Sequence, residues 1–327
     1  MITKPTASKA RSSSKSAAGS LKESSNKKPA IKKLAIAKSA IDKASAHKRL
    51  PAKPIKTANA KKKPNTKVSG AAIEALLNAA QAAQRKGDLK SAWKQYQAIL
   101  MQDPQHVESV YRMGLIALQM KSAAMAVDLF QNALAIDANH PKAHKNLGNA
   151  YAASDQVDLA LKHYEHAIRL VPGYIAAMDN RAILLSKVKR YEEALAGFDQ
   201  ILAIVPTFWP AYLQQAAIYL SLGEPQKALL LYAKTHAINP SDARILNNQG
   251  AVLGSLKQFD AALESLAKAI VLDPQYAEAY NNQAAALVGK GDLKRALKSY
   301  DQAMRFKPEY TDAIEGRKRV LKSLNAR

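Results

Sequence analysis

AEAYNNQAAALVGKGDLKRALKSYDQAMRFKPEY, residues 277–310, contains one complete structural repeat. Tyr280, Ala284 and Leu287 recur at spacings of four and three, which places them on one face of a helix. Ala296, Tyr300 and Ala303 do the same further on. Gly291-Asp292 between them is a turn signal, and Pro308 cannot continue the helix before it. The segment therefore reads as helix, short turn, helix. Proline then recurs every 34 residues, at Pro104, Pro172, Pro206, Pro240, Pro274 and Pro308, with Ala138 on the missing beat. A fixed period of this length marks an array. An array that stacks linearly presents one long surface, suited to holding a partner.

Taking each proline as position 32 divides the chain into units 73–106, 107–140, 141–174, 175–208, 209–242, 243–276 and 277–310. Position 20 is alanine in all seven: Ala92, Ala126, Ala160, Ala194, Ala228, Ala262 and Ala296. Position 8 is always Ala or Gly: Ala80, Gly114, Gly148, Ala182, Ala216, Gly250 and Ala284. Position 24 is aromatic in all but one unit, where Leu266 stands. Small residues at 8 and 20 let the two helices of a unit approach at the low end of the usual ~8–10 Å. The large residue at 24 fills the space beside that contact.

These columns resemble the tetratricopeptide repeat family, whose pattern has Trp or Leu at 4, Gly or Ala at 8, Tyr or Leu at 11, Ala at 20, Phe or Tyr at 24, Ala at 27 and Pro at 32. The resemblance covers residues 73–310. It implies an all-α, right-handed superhelix of helix-turn-helix repeats. Local departures are Ala138 for Pro, His144 at position 4, and Ile99, Ile201 and Thr235 at position 27. His144 is expected to weaken packing in the third unit. Residues 311–327 leave room for one capping helix, in which Lys318 occupies the small-residue position and faces water.

Charge separates the N-terminal segment from the array. Residues 1–70 hold 19 Lys and Arg against Glu23 and Asp42, a net of +17, while the rest carries +6 of the total +23. Residues 1–69 are rich in Lys, Ala, Ser and Pro and poor in large apolar side chains. Such a segment buries too little surface to offset its ordering entropy, so a disordered basic tail is expected. Ile31–Ala44 is spaced loosely for a transient basic amphipathic helix. The tail's charge favours polyanions such as nucleic acid or an acidic surface; a tether without a partner is the plainer alternative.

There is no cysteine, which removes disulfides, thiol nucleophiles and Cys-ligated zinc, and fits a reducing, cytoplasmic setting. No apolar run reaches the ~18 residues of a membrane span. There is no Gly-rich phosphate loop, nucleophile elbow or His-Glu zinc motif. Glu192 and Glu193 point to different helix faces and make no acid/base pair. His140 and His144 are four apart and His163 and His166 three apart, without a third ligand at a useful spacing, so they read as surface histidines. No enzyme activity and no cofactor are expected.

The resemblance assigns positions 2, 5, 6, 9, 12 and 13 of the first helices to the concave side. Position 6 holds Asn78, Arg112, Asn146, Asn180, Gln214, Asn248 and Asn282. Asparagine is a mediocre helix former, so local energetics do not favour it there. Its amide offers a donor and an acceptor together, as an extended peptide backbone requires. Amides ~10 Å apart meet a strand about every third residue at ~3.3 Å each. The column is similar to the asparagine ladder of the tetratricopeptide superhelix in O-linked N-acetylglucosamine transferase and in importin-like solenoids. Inheritance of the residue by repeat duplication is the competing explanation. Arg112, Lys142, Lys145, Asn146 and Asn149 form a basic cluster beside it, suited to an acidic group. Against the carboxylate clamp of chaperone-adaptor repeats, Lys145, Asn149 and Asn180 match, whereas Pro210 and Gln214 break the pattern. The expected function is a scaffold that binds a protein or peptide in the groove. Alternatives are a regulatory partner of a separate glycosyltransferase or methyltransferase, and a nucleic-acid-associated protein acting through its tail.

Overall fold

A computed structural model describes residues 70–326. The tail expected over 1–69, including Ile31–Ala44, lies outside the described residues. Within them the chain forms fifteen α-helices. In order they are α1 Gly70–Arg85, α2 Leu89–Gln102, α3 Val107–Gln119, α4 Ala123–Ile136, α5 Pro141–Ala152, α6 Val157–Leu170, α7 Ile175–Lys187 and α8 Tyr191–Ile204. Then follow α9 Trp209–Ser221, α10 Pro225–Ile238, α11 Ala243–Ser255, α12 Phe259–Leu272, α13 Ala277–Gly289, α14 Leu293–Phe306 and α15 Thr311–Asn325. Each odd-numbered helix through α13 packs on the next even-numbered one, and each even-numbered helix packs on the first helix that follows. The result is an all-α repeat array of seven helix pairs and a final helix.

The small-residue columns do the work expected of them. All seven position-20 alanines are fully buried, as are Tyr96, Phe130 and Phe198 of column 24. A Cβ added to Gly114 would lie 2.5 Å from the Phe130 ring, and one on Gly148 would lie 2.6 Å from the Tyr164 ring. Glycine at position 8 is therefore a clearance for the large residue at 24. Thr235, which replaces alanine at position 27, is buried and donates its hydroxyl to the Leu231 carbonyl at 2.7 Å, so the polar atom is satisfied.

The first helices bury a second seam as well. Position 3 is buried in units 2 to 7, for example Ala143, Ala177, Ala211 and Ile245. Position 10 is buried in the same units, for example Ala150, Leu184 and Ile218. A first helix inside the array touches its own second helix on one side and the preceding second helix on the other, so two apolar stripes are needed. The final helix α15 keeps Ala313 and Val320 of this second seam buried and leaves Lys318 exposed. The close approach to Tyr300 passes to Gly316, where an added Cβ would lie 2.4 Å from the ring.

Every turn between paired helices passes through the left-handed region at position 15. Gly87, Gly223 and Gly291 have φ of 79°, 75° and 83°, and Lys121, Asp155, Lys189 and Lys257 lie between 57° and 63°. The chain reverses there with a C-terminal hydrogen-bond wrap, such as Asp88 N–H to the Ala83 carbonyl at 2.9 Å. Asp88 and Asp292 then cap the following helices by accepting from Ser91 and Arg295 backbone N–H groups at 3.0 and 3.1 Å.

Candidate functional site

Consecutive first helices lie side by side, bringing α3 against α5, α5 against α7, α7 against α9 and α11 against α13. Column 6 runs along this inner row, and its amides divide into two groups.

The first group is bonded from repeat to repeat. Asn146 is 4% exposed and donates its amide N–H to the Tyr111 hydroxyl at 2.9 Å. Asn149 donates to Asn146 Oδ1 at 3.3 Å, and Asn180 donates to Asn149 Oδ1 at 2.8 Å. The Tyr164 hydroxyl donates to the same Asn149 oxygen at 2.8 Å. A continuous polar chain thus joins Tyr111, Asn146, Asn149 and Asn180 across three repeats. Burial pushes the Tyr111 and Tyr164 hydroxyls above the usual phenol range, keeping both protonated. Further on, Asn282 donates to Asn247 Oδ1 at 2.9 Å. In each case position 6 reaches back to position 5 or 9 of the preceding first helix. This coupling was not anticipated from the amide column alone; the partners Tyr111 and Asn247 sit in column 5, where no residue type occurs more than twice.

The second group is open. Asn78 and Gln214 make no side-chain hydrogen bond among the described residues, and Asn78 is exposed. Asn248 is also exposed; its oxygen accepts from Asn247 at 3.4 Å, and its own N–H groups donate to no described residue. Arg112 pairs with Glu108 on its own helix. A cleft of about 510 Å³ beside it is lined by Glu108, Tyr111, Arg112, Asp137, His140 and Lys142. A second cleft of about 530 Å³ is bordered by Asn149, Tyr164, Asn180, Ile183 and Lys187. Lys142 is exposed and Lys145 half-buried, and neither forms an ion pair among the described residues. Burial, then the neighbouring Lys142 charge, pulls Lys145 below the ordinary lysine range.

The histidines are not placed as surface residues. His144 is 7% exposed. Its Nε2 lies 3.1 Å from the Ala138 carbonyl, which can only accept, so neutral His144 carries its proton there. Its Nδ1 then accepts from His163 Nδ1–H at 3.0 Å. The His166 ring stacks on His144 at 4.1 Å, and His140 caps α5 by accepting from the Ala143 N–H at 3.2 Å. Position 4 of the third unit is thus filled by a hydrogen-bonded ring. No cluster of three or more His, Cys, Asp or Glu suited to a metal occurs among the described residues.

The tetratricopeptide repeat family pattern matches residues 77–141, 141–174 and 277–310, and a TPR repeat pattern matches 252–291. The chain is a tetratricopeptide repeat protein. Its repeats are similar in fold to the C-terminal part of a TPR repeat-containing protein from Cytophaga hutchinsonii, at a TM-score of 0.62 and 12% identity, covering 73% of this chain and 98% of that one. A tetratricopeptide repeat protein from Parabacteroides merdae aligns at a TM-score of 0.56 and 18% identity over 77% of this chain and all of that one. Pseudomonas aeruginosa pilF aligns at 0.53 and 19% identity over 64% and 95%. At these identities the likeness establishes the tetratricopeptide fold alone. No curated protein matches the sequence. Tetratricopeptide arrays generally serve protein–protein interaction, and no helix among the described residues is long and apolar enough to cross a membrane.

Proposed function

We propose that this tetratricopeptide repeat protein is a non-enzymatic scaffold that holds an extended peptide segment along the inner row of first helices. Its basic N-terminal segment attaches to a polyanion, in a cytoplasmic setting. The observation that carries the reading is the division of column 6. The bonded amides of Asn146, Asn180 and Asn282 tie neighbouring first helices together, while the amide N–H groups of Asn78, Gln214 and Asn248 in the same register donate to no described residue. A row held rigid by one set of amides presents the other set without a large ordering cost, which favours binding of an extended backbone. Lys142, Lys145 and Arg112 supply positive charge along the same row and support a partner with acidic character.

The division changes which residues test the idea. Replacing Asn146 or Asn180 would disturb the array as well as any ligand. Gln214→Ala/Asn248→Ala removes amides that donate to no described residue and, at Asn248, a single long acceptor contact of 3.4 Å from Asn247, so it is expected to weaken retention of a partner captured by affinity purification while barely moving the unfolding midpoint. Equal retention by that variant would sink the amide reading. Polyanion attachment is tested separately with full-length protein and a labelled DNA duplex. Binding should fall steeply between 50 and 200 mM salt, following the counterion slope of about −0.9 per neutralised phosphate, and disappear when the lysines of 1–69 are replaced by glutamine. A flat salt response would remove the tail from the proposal.

A further inference from the structure

Column 5 holds Leu77, Tyr111, Lys145, Asp179, Leu213, Asn247 and Asn281. Where its residues are hydrogen-bonded, at Tyr111 and Asn247, they meet position 6 of the next first helix. The column therefore points along the inner row. Its two charged members, Lys145 on α5 and Asp179 on α7, depart from that pattern. Both are half-buried. Neither forms an ion pair with the other or with any described residue. Asp179 Oδ1 is shielded from solvent yet accepts no hydrogen bond. The position-6 partners that would serve them are turned elsewhere or idle: Asn180 donates to Asn149, and Gln214 bonds to nothing described.

Half-burying a charge without a partner is costly. Burial pushes the Asp179 carboxyl above the usual carboxylate range and pulls the Lys145 ammonium below the lysine range. These two desolvated opposite charges sit one repeat apart in the same column. Neighbouring first helices lie about 10 Å apart, and an extended chain advances ~3.3 Å per residue, so one repeat corresponds to three residues of ligand. Hydrogen-bonded opposite charges would relieve both desolvated groups at once.

We infer that the third and fourth repeats read an extended peptide bearing an acidic side chain and a basic side chain three residues apart, the acid on Lys145 and the base on Asp179. This rests on the groove reading above and names the partner's chemistry within it. It also fixes the polarity of the ligand, because acid and base are not interchangeable across the pair.

The probes are fluorescein-labelled nonapeptides of Ser, Thr and Val with zero net side-chain charge: Glu at 3 with Lys at 6, the reversed order, adjacent Glu-Lys, and Gln at both positions. Anisotropy with the full-length protein at 150 mM salt is expected to favour one i,i+3 order at least tenfold over the Gln and adjacent probes. Lys145→Gln or Asp179→Asn should erase that preference with the helical circular dichroism intact. The exchange Lys145→Asp/Asp179→Lys should transfer it to the reversed order. If all four probes bind alike and Gln214→Ala/Asn248→Ala weakens all of them, the charge readout is overturned while the amide groove stands. If none binds, both are overturned. Retention of the preference by both single neutral variants would also overturn the assignment.

Discussion

The Tyr111 hydroxyl on α3 accepts a 2.9 Å hydrogen bond from Asn146 on α5, 35 residues away. Both side chains are buried, at 7% and 4% exposure. The bond is a direct link between first helices of adjacent repeats, and through Asn149 it continues to Asn180 in the next. Because a repeat array gains stability from its nearest-neighbour interfaces, a bond at this place acts on cooperativity between repeats.

Asn146→Ala is therefore expected to destabilise the array by about 1–3 kcal/mol, since it strands a buried hydroxyl. Tyr111→Phe/Asn146→Ala should cost less than the two single changes together, because the double variant leaves neither partner unsatisfied. Urea unfolding of all four proteins checks this. Strict additivity would mean that the bond couples nothing.

Gly148→Ala tests the helix clearance. Alanine is the better helix former by about 1 kcal/mol, so an exposed site would be stabilised. Here the new Cβ would lie 2.6 Å from the Tyr164 ring and 3.1 Å from the Ala160 carbonyl. Overpacking of this kind costs about 1–3 kcal/mol, and a net loss of stability is expected. A raised thermal midpoint would show that the ring yields freely. Gly254→Ala, with open space around its Cβ, is the control and should not destabilise.

The fold was legible because its cause recurs: Ala at 20 and a small residue at 8 answer the same helix contact in every repeat, and Pro at 32 ends the second helix in all but the second unit, where Ala138 stands. The second seam at 3 and 10 was less legible, since column 10 varies in size, as at Ala150, Leu184 and Val252, and each of its members packs on a different preceding helix. The amide column was visible for the same reason as the prolines. Its division into bonded and open members was not, because it depends on column 5, where Tyr111, Lys145, Asp179 and Asn247 share no chemistry. The histidines were misjudged on sequence because His144 and His163 are 19 residues apart and meet only when α5 and α6 pack.

Lys189→Gly is expected to raise stability although it removes a side chain. Lys189 occupies the left-handed region with φ of 63°, where repeats one, five and seven use glycine. A non-glycine residue pays roughly 1–2 kcal/mol there. Greater chain entropy of glycine in the unfolded state offsets part of the gain, about 0.5–1 kcal/mol. A net increase of up to about 1 kcal/mol in urea unfolding is the expected reading. A decrease would mean that the lysine makes a compensating contact in the turn.

Acid should loosen the array at its third repeat. Burial, with the His144 and His166 charges adding to it, pulls His163 from 6.5 down to about 4. Burial is also the largest cause that lowers His144. The groups facing the pair are His140, His166 and Arg169, all cationic or able to become so. Protonating His144 would also turn its Nδ1 into a donor facing His163 Nδ1–H and break their bond. Both folded-state values lie below the unfolded one, so the unfolded chain binds more protons in this range and stability falls as the pH is lowered. The contribution is fully present above about pH 6.5 and is lost on acidification toward pH 4. For His163 the shift converts to about 3 kcal/mol; partial exposure of the ring reduces that to about 2 kcal/mol. His163→Gln should flatten the pH dependence of the urea midpoint between pH 7 and 4.5. An equally steep fall in that variant would place the acid sensitivity elsewhere.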